Sequence, residues 1–318
     1  INGGVINSIK NNAKLGKGDW SVVEADESDG SFLNLPITYS VVTNVDREHL
    51  DYYKNFQNLK KSFKIFFNKT PSFGKSFACI DDINIRSILK QKAKNYFTYG
   101  ENPKSDFQIF NIRKKITSSL FDLKIKEFKK KYLIKNININ LLGGHNVKNA
   151  TAALAVAINL GIKETIIKKA FKKFTGIQRR FTHIFSYQGK DFYDDYAHHP
   201  TEIKSVLKSV KQVYKKRKIV CVFQPHRYSR VKLLKKYFIN SFENADEIVL
   251  CPVYAAGEKK EKKFNLVKFG QQIAKKAKRQ VITIYNKDEL LKYFLKNLNS
   301  NELVICMGAG SISGWLKE

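Results

Sequence analysis

The chain has 318 residues, 43% of them hydrophobic and 27% charged, and 58 Lys and Arg against 28 Asp and Glu give a formal charge of +30. This balance excludes a disordered chain, a collagen-like repeat and a small disulfide scaffold, and the length fits two domains. No apolar run approaches the roughly 18 residues that a membrane span needs, and residues 1–18 lack the apolar core of a signal peptide.

The elements follow in chain order. Residues 20–25 read as a strand that runs into an acidic loop at 26–29, and 39–45 as a second strand. Phe56, Leu59, Phe63, Phe66 and Phe67 recur at helical spacing over 56–67. Strands are expected at 76–80 and 96–99, with a helix at 83–93 between them. The alternating segments 107–112, 120–125 and 134–141 predict antiparallel strands. His145 opens a helix through Leu160, with Gly161 as its stop, and 163–174 forms another. Beyond a boundary near 176–180, strands at 218–223, 247–251, 281–284 and 303–307 alternate with helices at 231–242, 266–277 and 287–298. That alternation predicts an α/β fold with a mostly parallel sheet covered on both faces.

The cysteines Cys79, Cys221, Cys251 and Cys306 each sit in an apolar run without metal-ligand spacing. They read as buried small hydrophobes of a cytoplasmic protein. The lysines scatter over 60–64, 90–94, 114–135, 168–173 and 259–263 and form no amphipathic arm. A solvated surface is the expected reading, with no nucleic-acid partner and no membrane partner. A basic nucleotide- or nucleic-acid-binding protein is the alternative. The field also favours anionic substrates.

Ligands of such sheets bind at the carboxyl ends of the strands. The segments there are EADESDGSF, TNVDREHLD, DDYAHHPTE, QPHRYSR, YAAGE and GAGS. Five of the six histidines fall in polar loops or at a helix start, and His183 lies in a strand-like stretch. Glu24 and His49 follow two expected neighbouring strands, which would bring a carboxylate and an imidazole together for a divalent cation. An acidic turn capped by Asp29 or Ser31 is the alternative. Asn146 and Asn149, behind His145, carry amides able to read a base edge; solvated residues of a helix start are the alternative. Asp194, Asp195, His198 and His199 crowd a helix start marked by Pro200, with Thr201 as the expected cap. Arg227 and Arg230, three apart and so on one face if helical, read as a carboxylate clamp, with two surface arginines as the alternative, and Arg179 with Arg180 form a second pair. Gly308-Ala309-Gly310-Ser311 is either a phosphate loop or a tight turn.

Taken together, EADESDGSF (24–32), TNVDREHLD (43–51), GGHNVKNATAA (143–153), GIQRRF (176–181), DDYAHHPTE (194–202), FQPHRYSR (223–230), VYAAGE (253–258) and MGAGSI (307–312) resemble the Mur ligases of bacterial cell-wall synthesis. The resemblance implies a central ATPase-type domain over 1–178, with a mixed sheet and helices, followed by a Rossmann-like doubly wound domain over 179–318. It implies ATP and Mg²⁺, and ligation of L-alanine to the carboxylate of UDP-N-acetylmuramate through an acyl phosphate. Carried over by motif, Glu24 and His49 are metal ligands. His145, Asn146 and Asn149 lie near the adenine, and Arg180 and Asp195 contact the nucleotide. His199, Asp195 and Arg180 are the expected catalytic group. Arg227, Arg230, His226 and Tyr254 bind the substrate. No G-x-x-G-K-[ST] phosphate loop occurs, the first residue is Ile1, and the only methionine is Met307. The chain is therefore expected to be a fragment unable to complete the reaction alone; a degenerate homologue is the other possibility.

Overall fold

The computed structural model describes residues 1–89, 96–126 and 132–318. The chain divides into two compact units, Ile1–Gly176 and Ile177–Glu318.

The first unit opens irregularly and then forms a 3-10 turn at Ser31–Asn34. There follow β1 (Tyr39–Val42), α1 (Leu50–Tyr53), α2 (Phe56–Asn68), β2 (Lys75–Cys79), α3 (Ile83–Leu89) and β3 (Tyr96–Gly100). Next come β4 (Phe107–Lys114), β5 (Ser119–Ile125), β6 (Tyr132–Ile139), α4 (Gly144–Asn159) and α5 (Glu164–Lys173). The six strands pair in sequence order. Pairing is parallel from β1 to β4 and antiparallel through β5 and β6. The Asn55 side chain caps α2 by accepting the Asn58 N–H, and the apolar face of α2 buries Leu59, Phe63, Phe66 and Phe67. The long helix α4 packs over β2, β3, β4 and β5. Its alanines permit close approach while Val147 and Leu154 fill the core beside Phe77, Tyr99, Phe107 and Phe121.

Residues 20–25 are not a strand. Among the described residues their backbone finds hydrogen bonds only at residue 1, where the Ile1 amino group donates to Val22 O and the Glu24 N–H donates to Ile1 O. Trp20, Val22 and Val23 stay exposed, so the apolar run has no sheet to join. The expected helix 83–93 is helical over Ile83–Leu89; the rest of it, the lysine group at 90–94 and part of that at 114–135 lie outside the described residues.

The second unit contains β7 (Thr182–Tyr187), β8 (Lys190–Asp195), α6 (Pro200–Val213), β9 (Lys218–Phe223), α7 (Tyr228–Ile239) and β10 (Glu247–Leu250). It ends with α8 (Leu266–Ala277), β11 (Gln280–Thr283), α9 (Lys287–Lys296), β12 (Glu302–Met307) and α10 (Ile312–Lys317). The sheet order is β11-β10-β9-β12-β8-β7. Only β7 runs antiparallel, turned back at Gln188 and Gly189, whose positive φ values of 48° and 76° suit a tight hairpin. Every residue of β10 and β12 is buried, as befits a parallel sheet covered on both sides. Val220 and Val222 face Leu290, Ile312 and Leu316, while Phe223 meets Phe238 and Phe242. At the amino ends of the strands, Lys218 is shared by the buried Glu247 and Glu302 at 2.6 and 3.1 Å, and the Tyr293 hydroxyl donates to Glu247 at 2.6 Å. Among the described residues no helix is long and apolar enough to cross a membrane.

Candidate functional site

The strand β12 is inserted between β8 and β9, so the connections β8 to β9, β9 to β10 and β10 to β11 run one way across the sheet while β11 to β12 returns the other way. Such a switch point opens a crevice at the carboxyl ends. Met307 pairs with Asp195 on one neighbour and with Phe223 on the other, so three motifs begin at one level. Each departs from there as an irregular loop whose polar side chains need partners.

After β8, Asp195 is buried and accepts N–H groups from Phe181 and Ala197, both at 2.8 Å. Burial pushes its carboxyl up to about 6 against those two donors. Helix α6 is capped by His199, not by Thr201: the His199 side chain accepts the Thr201 N–H. Glu202 closes the capping box by accepting the N–H groups of His198 and His199 at 3.0 and 3.2 Å. The imidazole wins because Pro200 holds the first helical position and aims the ring of the preceding residue back over the turn. Burial works against the Glu202 charge, but His198 and Arg180 outweigh it and hold the carboxyl below its usual range.

After β9, Arg227 adopts φ +64° as the residue before α7 and Arg230 lies one turn inside. The Arg230 guanidinium meets His226 Nδ1 at 3.2 Å. Burial, then Arg230, push His226 down to about 4, so the ring is neutral at physiological pH. His226 stacks on Tyr254, with ring centroids 5.6 Å apart, and a short parallel bridge joins their backbones. The rings of Tyr196, His198, His226 and Tyr254 thus form one row, with successive centroids 5.1, 5.8 and 5.6 Å apart.

After β12, the Gly308–Ser311 turn is spent on packing. Gln224 Oε1 accepts the Ile312 N–H at 3.0 Å, and Gln224 Nε2 donates to Ser311 Oγ at 3.0 Å. A Cβ on Gly310 would lie 2.5 Å from Gln224 Oε1 and from the Tyr254 ring. A tight turn, rather than a cradle for phosphate, explains these glycines.

In the first unit, Glu27, Glu48 and His49 each offer a ligand atom within 4.8 Å of the other two. His49 Nε2 stands 4.0 Å from Glu27 Oε1, and the Tyr53 hydroxyl donates to Glu27 O at 2.5 Å. Burial raises the Glu27 carboxyl, and His49 opposes that rise. Glu24, the expected partner of His49, instead accepts the Gly3 N–H at 2.5 Å. Where α4 begins, the Asn146 amide donates to Leu142 O at 2.8 Å, while Asn149 is exposed. Lys148 pairs with Asp81 at 2.8 Å, and Asp81 also accepts the Glu101 and Asn102 N–H groups.

Two family models match these units in order: the Mur ligase middle domain over residues 9–157 and the Mur ligase glutamate ligase domain over 179–310. UDP-N-acetylmuramate–L-alanine ligase of Pelagibacter ubique is 51% identical over the whole chain, which spans 69% of that relative. The corresponding ligase of Allorhizobium ampelinum is 40% identical over 99% of the chain and 67% of its own length. The chain belongs to the Mur ligase family. A solved structure of UDP-N-acetylmuramate–alanine ligase from Thermotoga maritima superposes with a TM-score of 0.77 at 26% identity, covering 98% of this chain and 66% of that one. The chain thus spans about two thirds of the length of the relatives it matches.

In the second unit Arg180, Asp195, His226, Arg230 and Tyr254 lie at one end of one sheet. Three neighbours, Glu202, Tyr196 and Glu48, were given no role in the sequence, and Glu27 only that of added negative charge near the expected cation site. Glu202 was marked by its spacing three residues after His199, which is the capping-box spacing. Tyr196 sits inside a motif already singled out. Glu48 carried no signal beyond being acidic and Glu27 none beyond its acidic loop, because their approach to His49 depends on irregular backbone.

Proposed function

We infer that this chain carries the metal-, nucleotide- and amino-acid-binding parts of an ATP-dependent cytoplasmic ligase joining L-alanine to the carboxylate of UDP-N-acetylmuramate. The observation that carries the reading is the crossing of Arg227, Arg230 and His226 with the ring row of Tyr196, His198 and Tyr254 at the strand ends. Guanidinium forks suit an amino-acid carboxylate. A wall of rings beside them leaves room for a small side chain. The neutral His226 can accept a hydrogen bond from an ammonium group, whereas His199, buried and engaged in the helix cap, acts by holding the loop. Asp195 retains lone pairs for a ribose hydroxyl, and Arg180 supplies charge for phosphate. His145, Asn146 and Asn149 stand at the start of α4 for the adenine.

Two carboxylates and an imidazole form a donor set that suits Mg²⁺, with Glu27, Glu48 and His49 as holders and Glu24 as a further carboxylate of the same loop. Such an ion, when bound, spreads the negative charge of phosphate and carboxylate. A carboxylate is a poor electrophile; its phosphorylation by ATP gives an acyl phosphate. The alanine amine attacks that carbonyl, and the tetrahedral intermediate expels phosphate. The arginines fix the carboxylate end of alanine, which leaves its amine to be aimed.

Replacement of Arg230 by Ala in the full-length gene product tests the reading. The apparent KM for L-alanine should rise about tenfold or more, with KM for ATP unchanged. A change confined to ATP affinity would refute the clamp.

A further inference from the structure

Arg179 and Asp194 each precede a residue assigned to the nucleotide, yet both point away from it into the second unit. Asp194 is buried and accepts the Ser313 hydroxyl at 2.6 Å. The Arg179 guanidinium approaches the same carboxylate oxygen at 3.3 Å and donates to Gly308 O at 2.6 Å. Its plane lies 4.8 Å from the centre of the Tyr196 ring, which Arg180 also approaches, at 5.8 Å. One network, buried at Asp194 and Ser313 and half-buried at Arg179, therefore joins the segment before β7, the end of β8, the turn after β12 and helix α10.

The segment it holds would not adopt its shape unaided. Arg179 and Phe181 have φ of +60° and +47°, which side chains beyond glycine rarely take. Both are pinned. The Tyr196 N–H donates to Arg179 O at 2.7 Å, the Phe181 N–H donates to Asp195, and the Phe181 ring stacks on Tyr193 at 4.2 Å. Arg180 lies between these two anchored residues, so its direction follows from them; it reaches Glu202 at 3.5 Å.

We propose that Arg179, Asp194 and Ser313 form a clamp that positions Arg180 for the nucleotide, a role that rests on Arg180 being a nucleotide ligand. These are positioning residues: without the anchor, the left-handed backbone relaxes and carries Arg180 away from the strand ends. The clamp differs from a purely structural network in acting through one neighbour.

A double-mutant cycle on the full-length gene product tests this. Arg179→Gln should raise KM for ATP about tenfold and leave KM for L-alanine unchanged. Arg179→Lys, which keeps the charge beside Asp194, should recover part of the loss. Ser313→Ala removes one hydroxyl and gives a milder effect in the same direction; it carries the test if Arg179→Gln does not fold. In an Arg180→Ala background neither substitution should raise KM for ATP further. Tyr293→Phe, at the opposite ends of the strands, should lower the thermal midpoint without moving KM for ATP. An equal rise in both backgrounds, or no rise where Arg180→Ala alone produces one, overturns the clamp. No effect of Arg180→Ala removes the nucleotide role itself and the clamp with it.

Discussion

The two units build their sites by different means. In the second, Asp195, Phe223 and Met307 stand level on adjacent parallel strands. Ladder hydrogen bonds fix where each following loop starts, and buried groups such as Asp194, Gln224 and Glu202 tie the loops to one another. In the first, His49 and its carboxylate neighbours lie on irregular chain before and after one short strand. A sheet turns sequence spacing into position in space; irregular backbone does not. The second site is held by many interlocking bonds, whereas in the first His49 only approaches Glu27, at 4.0 Å.

That contrast can be broken most forcefully at His49. His49→Ala should raise the Mg²⁺ concentration for half-maximal activity by roughly 10–100-fold, and Glu27→Gln by less, as a Mg²⁺ titration of activity would record. An unchanged Mg²⁺ requirement in His49→Ala would leave the first site without a metal role. Packing separates the regions next. Val222 is fully buried in the sheet, while Val22 is 82% exposed. Val222→Ala should cost about 2 kcal/mol in denaturant unfolding and Val22→Ala under about 0.5 kcal/mol. Equal losses would mean that the irregular segment packs as the sheet does.

The third contrast is electrostatic. His226 is held near 4 in the folded chain against 6.5 for the free group. Between those values the unfolded chain binds more protons, so this group's contribution is lost as pH falls from about 6.5 to about 4. The thermal midpoint of His226→Gln should therefore decline less over that window than that of the parent. Parallel declines would show that the ring titrates normally.

The fold of the second unit was legible because its apolar runs are long, β-rich and separated by amphipathic helices; the 266–277 helix appears with its expected bounds. Phe56, Leu59, Phe63, Phe66 and Phe67 made α2 equally plain. Residues 20–25 misled because a short apolar run marks a strand only where a neighbouring strand offers hydrogen bonds. The cap of α6 misled because propensity favours a hydroxyl, whereas the local turn presented an imidazole. Arg227, Arg230 and Asp195 were legible as strand-end groups. Glu48 was not, and Glu27 only as charge in the acidic loop, since nothing in their spacing fixes a distance to His49.

The most direct measurement is phosphate release by the full-length gene product with ATP, Mg²⁺ and UDP-N-acetylmuramate, comparing L-alanine, glycine, L-serine and D-glutamate. The account predicts release that requires all components and has its highest kcat/KM with L-alanine. Release without any amino acid, or equal efficiency with D-glutamate, would contradict it.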